Sequence, residues 1–289
     1  MNVEHLSLES GRRVAVHRVA EGSGRTILFC HAAPGSGGFD PDPRETQARD
    51  ITLLAVDRPG YGGSDPVGEG EWATVGAAAD DLADVLRELG IDHVGVAGWS
   101  AGGRVALALA ARHPELVDRA AVIATPAPHE EVPWIPPEQA AGIEALRGQP
   151  ADAVHGSLGA QLAGLVPPKG DASKALEQIA TPADEPVLRD ADAAARLAAM
   201  LEAAYAQGAT GIAADIAGYS LQPWGFEPAE VSAKTLLVYG GEDPIAGGAH
   251  GRWWQRQLPN ARLEMTPGAG HLLIVERWAR VLSFLAPDR

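Results

Sequence analysis

The sequence predicts an α/β fold: a mostly parallel eight-stranded sheet flanked by helices, with a helical cap inserted after the sixth strand. Three observations predict it. Short apolar runs alternate with helix-patterned segments along most of the 289 residues, the rhythm of βα units. Two of those runs, 26–30 and 51–56, read as central strands of a parallel sheet buried on both faces. From Pro126 to about Ser232 the rhythm stops without a convincing strand, and it resumes at 234.

The elements follow in order. Residues 3–8 and 12–19 read as two strands joined by Glu9-Ser10-Gly11, and 26–30 and 51–56 as the next two. Residues 74–89 place Val75, Ala78, Leu82, Val85, Leu86 and Leu89 at helical spacing, with Gly90 closing the helix. A valine-rich strand at 93–97 leads into an alanine- and leucine-rich helix that ends near Arg112, before His113-Pro114. Residues 119–124 form the sixth strand. Proline-punctuated helical pieces then occupy roughly 137–148, 151–165, 171–181 and 186–207. Strands at 234–239 and 261–265 alternate with helices near 249–257 and 271–286. This divides the chain into a core, 1–125 plus 233–289, and a cap, 126–232. A cap in that place lies over the carboxyl edge of the sheet, where open α/β sheets bind ligands.

The chemistry is concentrated at Gly98-Trp99-Ser100-Ala101-Gly102. G-x-S-x-G between a strand and a helix is the signature of a serine held at the apex of a sharp turn. Glycines flank it because side chains there would collide with the neighbouring strand and helix. The helix starting at the serine directs unpaired N–H groups toward an oxyanion formed at Ser100, so the Ala101 N–H is one candidate donor.

A serine needs a base, and the base needs an orienting group. A sheet with such an elbow supplies them later in the chain, acid first and histidine second. The strand 234–239 runs into Gly240-Gly241-Glu242-Asp243-Pro244, and the strand 261–265 into Pro267-Gly268-Ala269-Gly270-His271. Asp243 is the expected acid, in preference to Glu242, and His271 the expected base. The loop after the preceding strand, Ala124-Thr125-Pro126-Ala127, offers no carboxylate. The loop after 26–30, His31-Ala32-Ala33-Pro34-Gly35, should supply the second oxyanion donor from the Ala33 N–H, with His31 in a structural role. Phe39, Trp99, Trp134, Tyr219 and Trp224 are the expected lining of an apolar substrate pocket beneath the cap.

Composition excludes other classes. A net charge of −15 argues against nucleic acid and anionic membrane as partners. Cys30, the single cysteine, forms no intrachain disulfide and reads as a buried, inert thiol. Metal-ligand spacings and nucleotide-binding glycine motifs are missing, so neither a metal nor a cofactor is expected. No apolar run is long enough to span a bilayer, and the first residues lack a basic segment followed by an apolar one. The expectation is a cytoplasmic protein, monomeric or homodimeric, acting on a small molecule.

Together, His31–Gly35, Asp57-Arg58-Pro59-Gly60-Tyr61-Gly62-Gly63-Ser64-Asp65, Gly98–Gly103, Gly240–Asp243 and Gly270-His271 resemble the α/β-hydrolase fold superfamily in its lidded, epoxide-hydrolase-like branch. The 57–65 stretch carries no catalytic role by that resemblance and should fix a turn behind the elbow. Two departures bear on the chemistry. The first loop in this family usually begins His-Gly, and Ala32, less tolerant of positive φ, implies a different arrangement there. The epoxide hydrolases and haloalkane dehalogenases of the branch carry aspartate at the elbow, where Ser100 stands here. Serine with histidine implies acyl transfer: hydrolysis of an ester, thioester, lactone or related carbonyl compound, as in a carboxylesterase. A C–C bond hydrolase, a perhydrolase, a lyase using the same pair, and a low-turnover receptor-like protein are the alternatives.

Overall fold

The computed structural model describes residues 2–287. The core strands are β1 (Asn2–Ser7), β2 (Arg13–Ala20), β3 (Thr26–Cys30), β4 (Thr52–Val56), β5 (Val94–Trp99), β6 (Val117–Ile123), β7 (Lys234–Gly240) and β8 (Ala261–Thr266). They form one sheet in the order β1-β2-β4-β3-β5-β6-β7-β8. The β1–β2 and β2–β4 pairs are antiparallel and the others parallel, which makes the mostly parallel eight-stranded sheet that the sequence predicts.

Between them run α1 (Pro43–Ala48), α2 (Val75–Glu88), α3 (Ala101–Arg112), α10 (Gly248–Gln257) and α11 (Ile274–Leu285). α2 packs on α3, which lies against β3, β5 and β6, while α1 packs on α11, which lies against β5, β6 and β7. A side chain at Gly95 would meet Leu285 of α11, and one at Gly98 would meet α3. Positions three apart on a strand point to opposite faces, so the two helical layers sandwich the sheet. β3, β5 and residues Ala120–Ile123 of β6 are accordingly apolar and almost wholly buried.

Six helices fill the chain between β6 and β7: α4 (Pro137–Glu144), α5 (Ala151–Leu162), α6 (Ala172–Ile179), α7 (Glu185–Arg189), α8 (Ala191–Ala204) and α9 (Thr210–Leu221). They divide into two sets. Leu176, Val187, Leu197, Met200 and Leu201 of α6–α8 join the main hydrophobic core. Val154 and Leu158 of α5, with Ala213, Ala217 and Leu221 of α9, form a separate small core.

Three differences from the sequence reading have physical causes. The stretch 186–207 is broken at Asp190, whose side chain accepts from the N–H groups of Asp192 and Ala193 and so starts a new helix. α9 lies where no helix was expected: it is apolar on most sides and holds Gly211 and Gly218, so neither a polar stripe nor good propensity marks it. Gly211 and Gly218 are required by packing, because a β-carbon would fall 2.6 Å from the Tyr61 ring and 1.8 Å from the Ala73 carbonyl oxygen, respectively. The last helix begins at Ile274, which leaves His271 in the turn before it.

Candidate functional site

The parallel register brings five strand ends to one edge. Cys30 pairs with Gly98, Trp99 with Ile123, Ile123 with Val238, and Gly240 with Thr266. The loops carrying Ala33, Ser100, Asp243 and His271 therefore open side by side.

Ser100 sits between β5 and α3 at φ +54° and ψ −122°, a conformation that non-glycine residues adopt at a cost of order 1–3 kcal/mol. The turn is held by the Ser100 N–H donating to the Ile123 carbonyl at 2.8 Å and the Gly103 N–H donating to the Ser100 carbonyl at 3.1 Å. Space explains its glycines. A β-carbon on Gly98 would lie 2.4 Å from the Gly102 carbonyl oxygen, and one on Gly102 would lie 2.1 Å from that of Cys30.

Ser100 Oγ lies 3.1 Å from His271 Nε2, and His271 Nδ1 lies 2.8 Å from Asp243 Oδ2. An ionised carboxylate only accepts, so Nδ1 carries the proton and Nε2 is free to accept from the serine hydroxyl. Asp243 Oδ1 accepts from the N–H groups of Ile245 at 2.8 Å and Ala246 at 3.0 Å. Burial by itself would raise this carboxyl, but the His271 partner and the two N–H groups prevail and hold it below the usual aspartate value. All three residues are less than a tenth exposed.

A cavity of about 160 Å³ opens on Ser100 and His271, with Ala33, Pro34, Ala101, Trp99, Trp134 and Tyr219 in its walls. Ala101 is the first residue of α3, so its N–H has no partner within the helix. Trp99 is a wall residue that also positions the base: its Nε1 donates to the His271 carbonyl at 3.1 Å. Two expected lining residues lie elsewhere. Phe39 is buried in the core between Phe29 and Trp99, its ring 6.0 Å from that of Trp99. Trp224 stacks on Trp254 and Phe226 and faces a neighbouring chamber.

The Ala33 loop is held from the core side. His31 is fully buried, its Nε2 accepting from the Arg58 N–H at 3.1 Å while Nδ1 donates to the Ala32 carbonyl at 2.7 Å. Burial, with help from the Arg58 charge, pushes its pKa down to about 3, so the ring is neutral and structural as expected. Arg58 also donates to the carbonyls of His31 at 2.6 Å and Ala32 at 2.9 Å. The 57–65 stretch thus braces the Ala33 loop: Asp57 accepts from the Gly37 and Gly63 N–H groups and contacts His17. Among the described residues only Asp50, Ser100 and Ala124 are non-glycines at positive φ, so the backbone at Ala32 takes a conformation that an alanine adopts without strain.

Two carboxylates from the inserted helices reach these loops. Asp184 accepts the N–H of Leu272, beside His271, at 2.7 Å. Asp215 of α9 pairs with Arg58 at 2.6 Å and accepts from the Tyr61 hydroxyl at 3.0 Å. Sequence reasoning missed both, along with Arg104, Ile179 and Ile245 in the cavity wall. Arg104 alone left a signal, as the single charge in the otherwise apolar run 101–111 of the helix after Ser100.

A family profile described as the alpha/beta hydrolase fold matches residues 25–277. The chain belongs to the α/β-hydrolase fold family. Among its relatives is a pimeloyl-[acyl-carrier protein] methyl ester esterase of Nitrosospira multiformis, 28% identical, covering 90% of this chain and 92% of that protein. A 2-(acetamidomethylene)succinate hydrolase of Mesorhizobium japonicum is 29% identical, covering 90% and 88%. Similar solved structures include a thermophilic esterase from Thermogutta terrifontis, with TM-score 0.71, 20% identity and coverage of 97% and 95%. An enol-lactonase from Burkholderia xenovorans gives TM-score 0.68 at 20% identity, covering 98% and 99%. This α/β hydrolase is an enzyme of the hydrolase class, in a family whose usual nucleophile is serine. Among its described residues no helix is long and apolar enough to cross a membrane.

Proposed function

We propose that this α/β hydrolase cleaves a small or medium ester, thioester or lactone through an acyl-enzyme on Ser100. The observation that carries the reading is the unbroken hydrogen-bond chain from Ser100 Oγ through the His271 ring to Asp243. His271 Nε2 takes the serine proton as Oγ attacks the substrate carbonyl. The Ala33 and Ala101 N–H groups receive the oxyanion, and Asp243 orients the ring and stabilises the imidazolium. His271 returns the proton to the leaving group; a water activated by the same nitrogen then releases the acid and frees Ser100. Residues 126–232 act as the lid over this site, and Trp99, Trp134 and Tyr219 contact substrate. The reading extends to a cytoplasmic enzyme working as a monomer or homodimer.

A fluorophosphonate probe and a panel of p-nitrophenyl esters test it. Wild type should be labelled at Ser100 and turn over the shorter esters, and Ser100→Ala should do neither. A Ser100→Ala protein as active as wild type would overturn the proposal.

A further inference from the structure

Arg104 is buried, 2% exposed, one helical turn beyond Ser100 on α3. Its side chain lies in the wall of the Ser100 cavity and in that of a second chamber of about 390 Å³, which share Trp134 and Tyr219. Among the described residues no carboxylate pairs with it. Its Nη2 donates to the Pro126 carbonyl at 3.3 Å and the Tyr219 hydroxyl lies within its reach, but its buried Nε has no acceptor. Asp215, which borders the small gap behind it, is already held by Arg58 and Tyr61. The second chamber's other cation, Arg147, is matched by Glu144.

Three aromatic rings surround the guanidinium instead, with Tyr219 at 4.5 Å, Trp224 at 5.0 Å and Trp134 at 5.6 Å from its central carbon. Ring faces attract a cation but offer nothing to its in-plane N–H groups, and Nε stays unmatched. A charge taken out of water without a partner is strongly unfavourable, and a planar fork of donors is the shape that a carboxylate satisfies through two parallel hydrogen bonds. Burial lowers the Arg104 pKa, yet a guanidinium keeps its charge at any working pH.

We infer that Arg104 is a specificity residue for an anionic substrate: an ester or lactone that carries a carboxylate in addition to its scissile carbonyl. The carboxylate takes the guanidinium at the junction of the two chambers while the carbonyl lies at Ser100. This rests on the serine-hydrolase reading above and narrows its substrate class. The acidic chain as a whole repels such a ligand, as do Glu130 and Glu144 in the second chamber, so the attraction must come from Arg104, the chamber cation without a carboxylate partner.

Two substrate pairs test for the added carboxylate, and the Arg104→Gln variant separates its charge from its size. p-Nitrophenyl hemiglutarate against p-nitrophenyl pentanoate places the carboxylate on the acyl side, and 4-acetoxybenzoate against phenyl acetate places it on the leaving group. In wild type, kcat/KM should favour the charged member of at least one pair by about tenfold or more, chiefly through KM. Arg104→Gln should bring that ratio to about one or below. A wild-type enzyme with no preference in either pair overturns the inference without using any variant. So does a preference that survives Arg104→Gln in protein still labelled by the fluorophosphonate. Failure of wild type to label or to turn over any ester would instead remove the serine-hydrolase reading, and this inference with it.

Discussion

Arg58 on the loop after β4 and Asp215 on α9 form a buried ion pair at 2.6 Å that joins the inserted helices to the loop carrying Ala33. The same guanidinium binds Asp215 on one side and the His31 and Ala32 carbonyls on the other. A change in α9 therefore reaches an expected oxyanion donor through one side chain. Asp215→Asn leaves Arg58 charged and buried without its partner, which typically costs about 3–5 kcal/mol. The expected result is a lower denaturant midpoint together with a reduced kcat; a midpoint within experimental error of wild type would contradict it.

Asp184 does the same for the loop of the base. Its Oδ1 accepts from Leu272 N–H, and Oδ2 accepts from both the N–H and the hydroxyl of Thr181. Asp184→Ala leaves the Leu272 N–H buried and unmatched, a loss of about 1–3 kcal/mol, while water can replace the acceptor for the part-buried Thr181 donors. We expect slower ester turnover than in Asp184→Asn, which keeps one acceptor oxygen. Equal rates for the two variants would show that the Leu272 contact does not hold His271 in place.

Asp243→Asn is expected to lower kcat by about 10⁴-fold with little change in fold, because an amide permits the His271 tautomer that cannot accept from Ser100. A loss smaller than tenfold in steady-state assays would argue against Asp243 as the orienting acid. This group also bears on acid stability. Its folded pKa lies below the unfolded value near 3.9, so its contribution is complete above that value and disappears as pH falls through the folded one.

Asp40 has the opposite sign. Burial pushes its carboxyl up to about 6, only partly countered by the Thr46 hydroxyl and the Asp42 N–H. A group that protonates more readily in the folded state stabilises the protein below about pH 4 and loses that contribution as pH rises through 6. Asp40→Asn should therefore raise the denaturation midpoint at about pH 8 and have little effect near pH 4. Urea titrations at the two pH values decide it, and an equal change at both would exclude the buried carboxyl as the cause.

The sheet and the Ser100, Asp243 and His271 loops were legible because their signals are local. Runs rich in Val and Leu end at Gly98 and Gly240, Pro267-Gly268 closes the last strand, and each turn carries its polar residue within a few positions. The interior of the insertion was less so. α9 lacks a polar face, and Asp184 and Asp215 resemble ordinary surface acids until the fold brings them to Leu272 and Arg58. Phe39 and Trp224 show the same limit from the other direction. An aromatic residue near a site in sequence is as readily core as wall, and only packing decides.

Trp99 limits how this scaffold can change what it accepts. Its indole is at once part of the cavity wall and the donor that props the His271 carbonyl. Trimming it to admit a bulkier acyl group would free the backbone of the base in the same step. Pocket enlargement, by selection or by design, is therefore steered to Ile179, Ile245 and Trp134, none of which is hydrogen-bonded to the base.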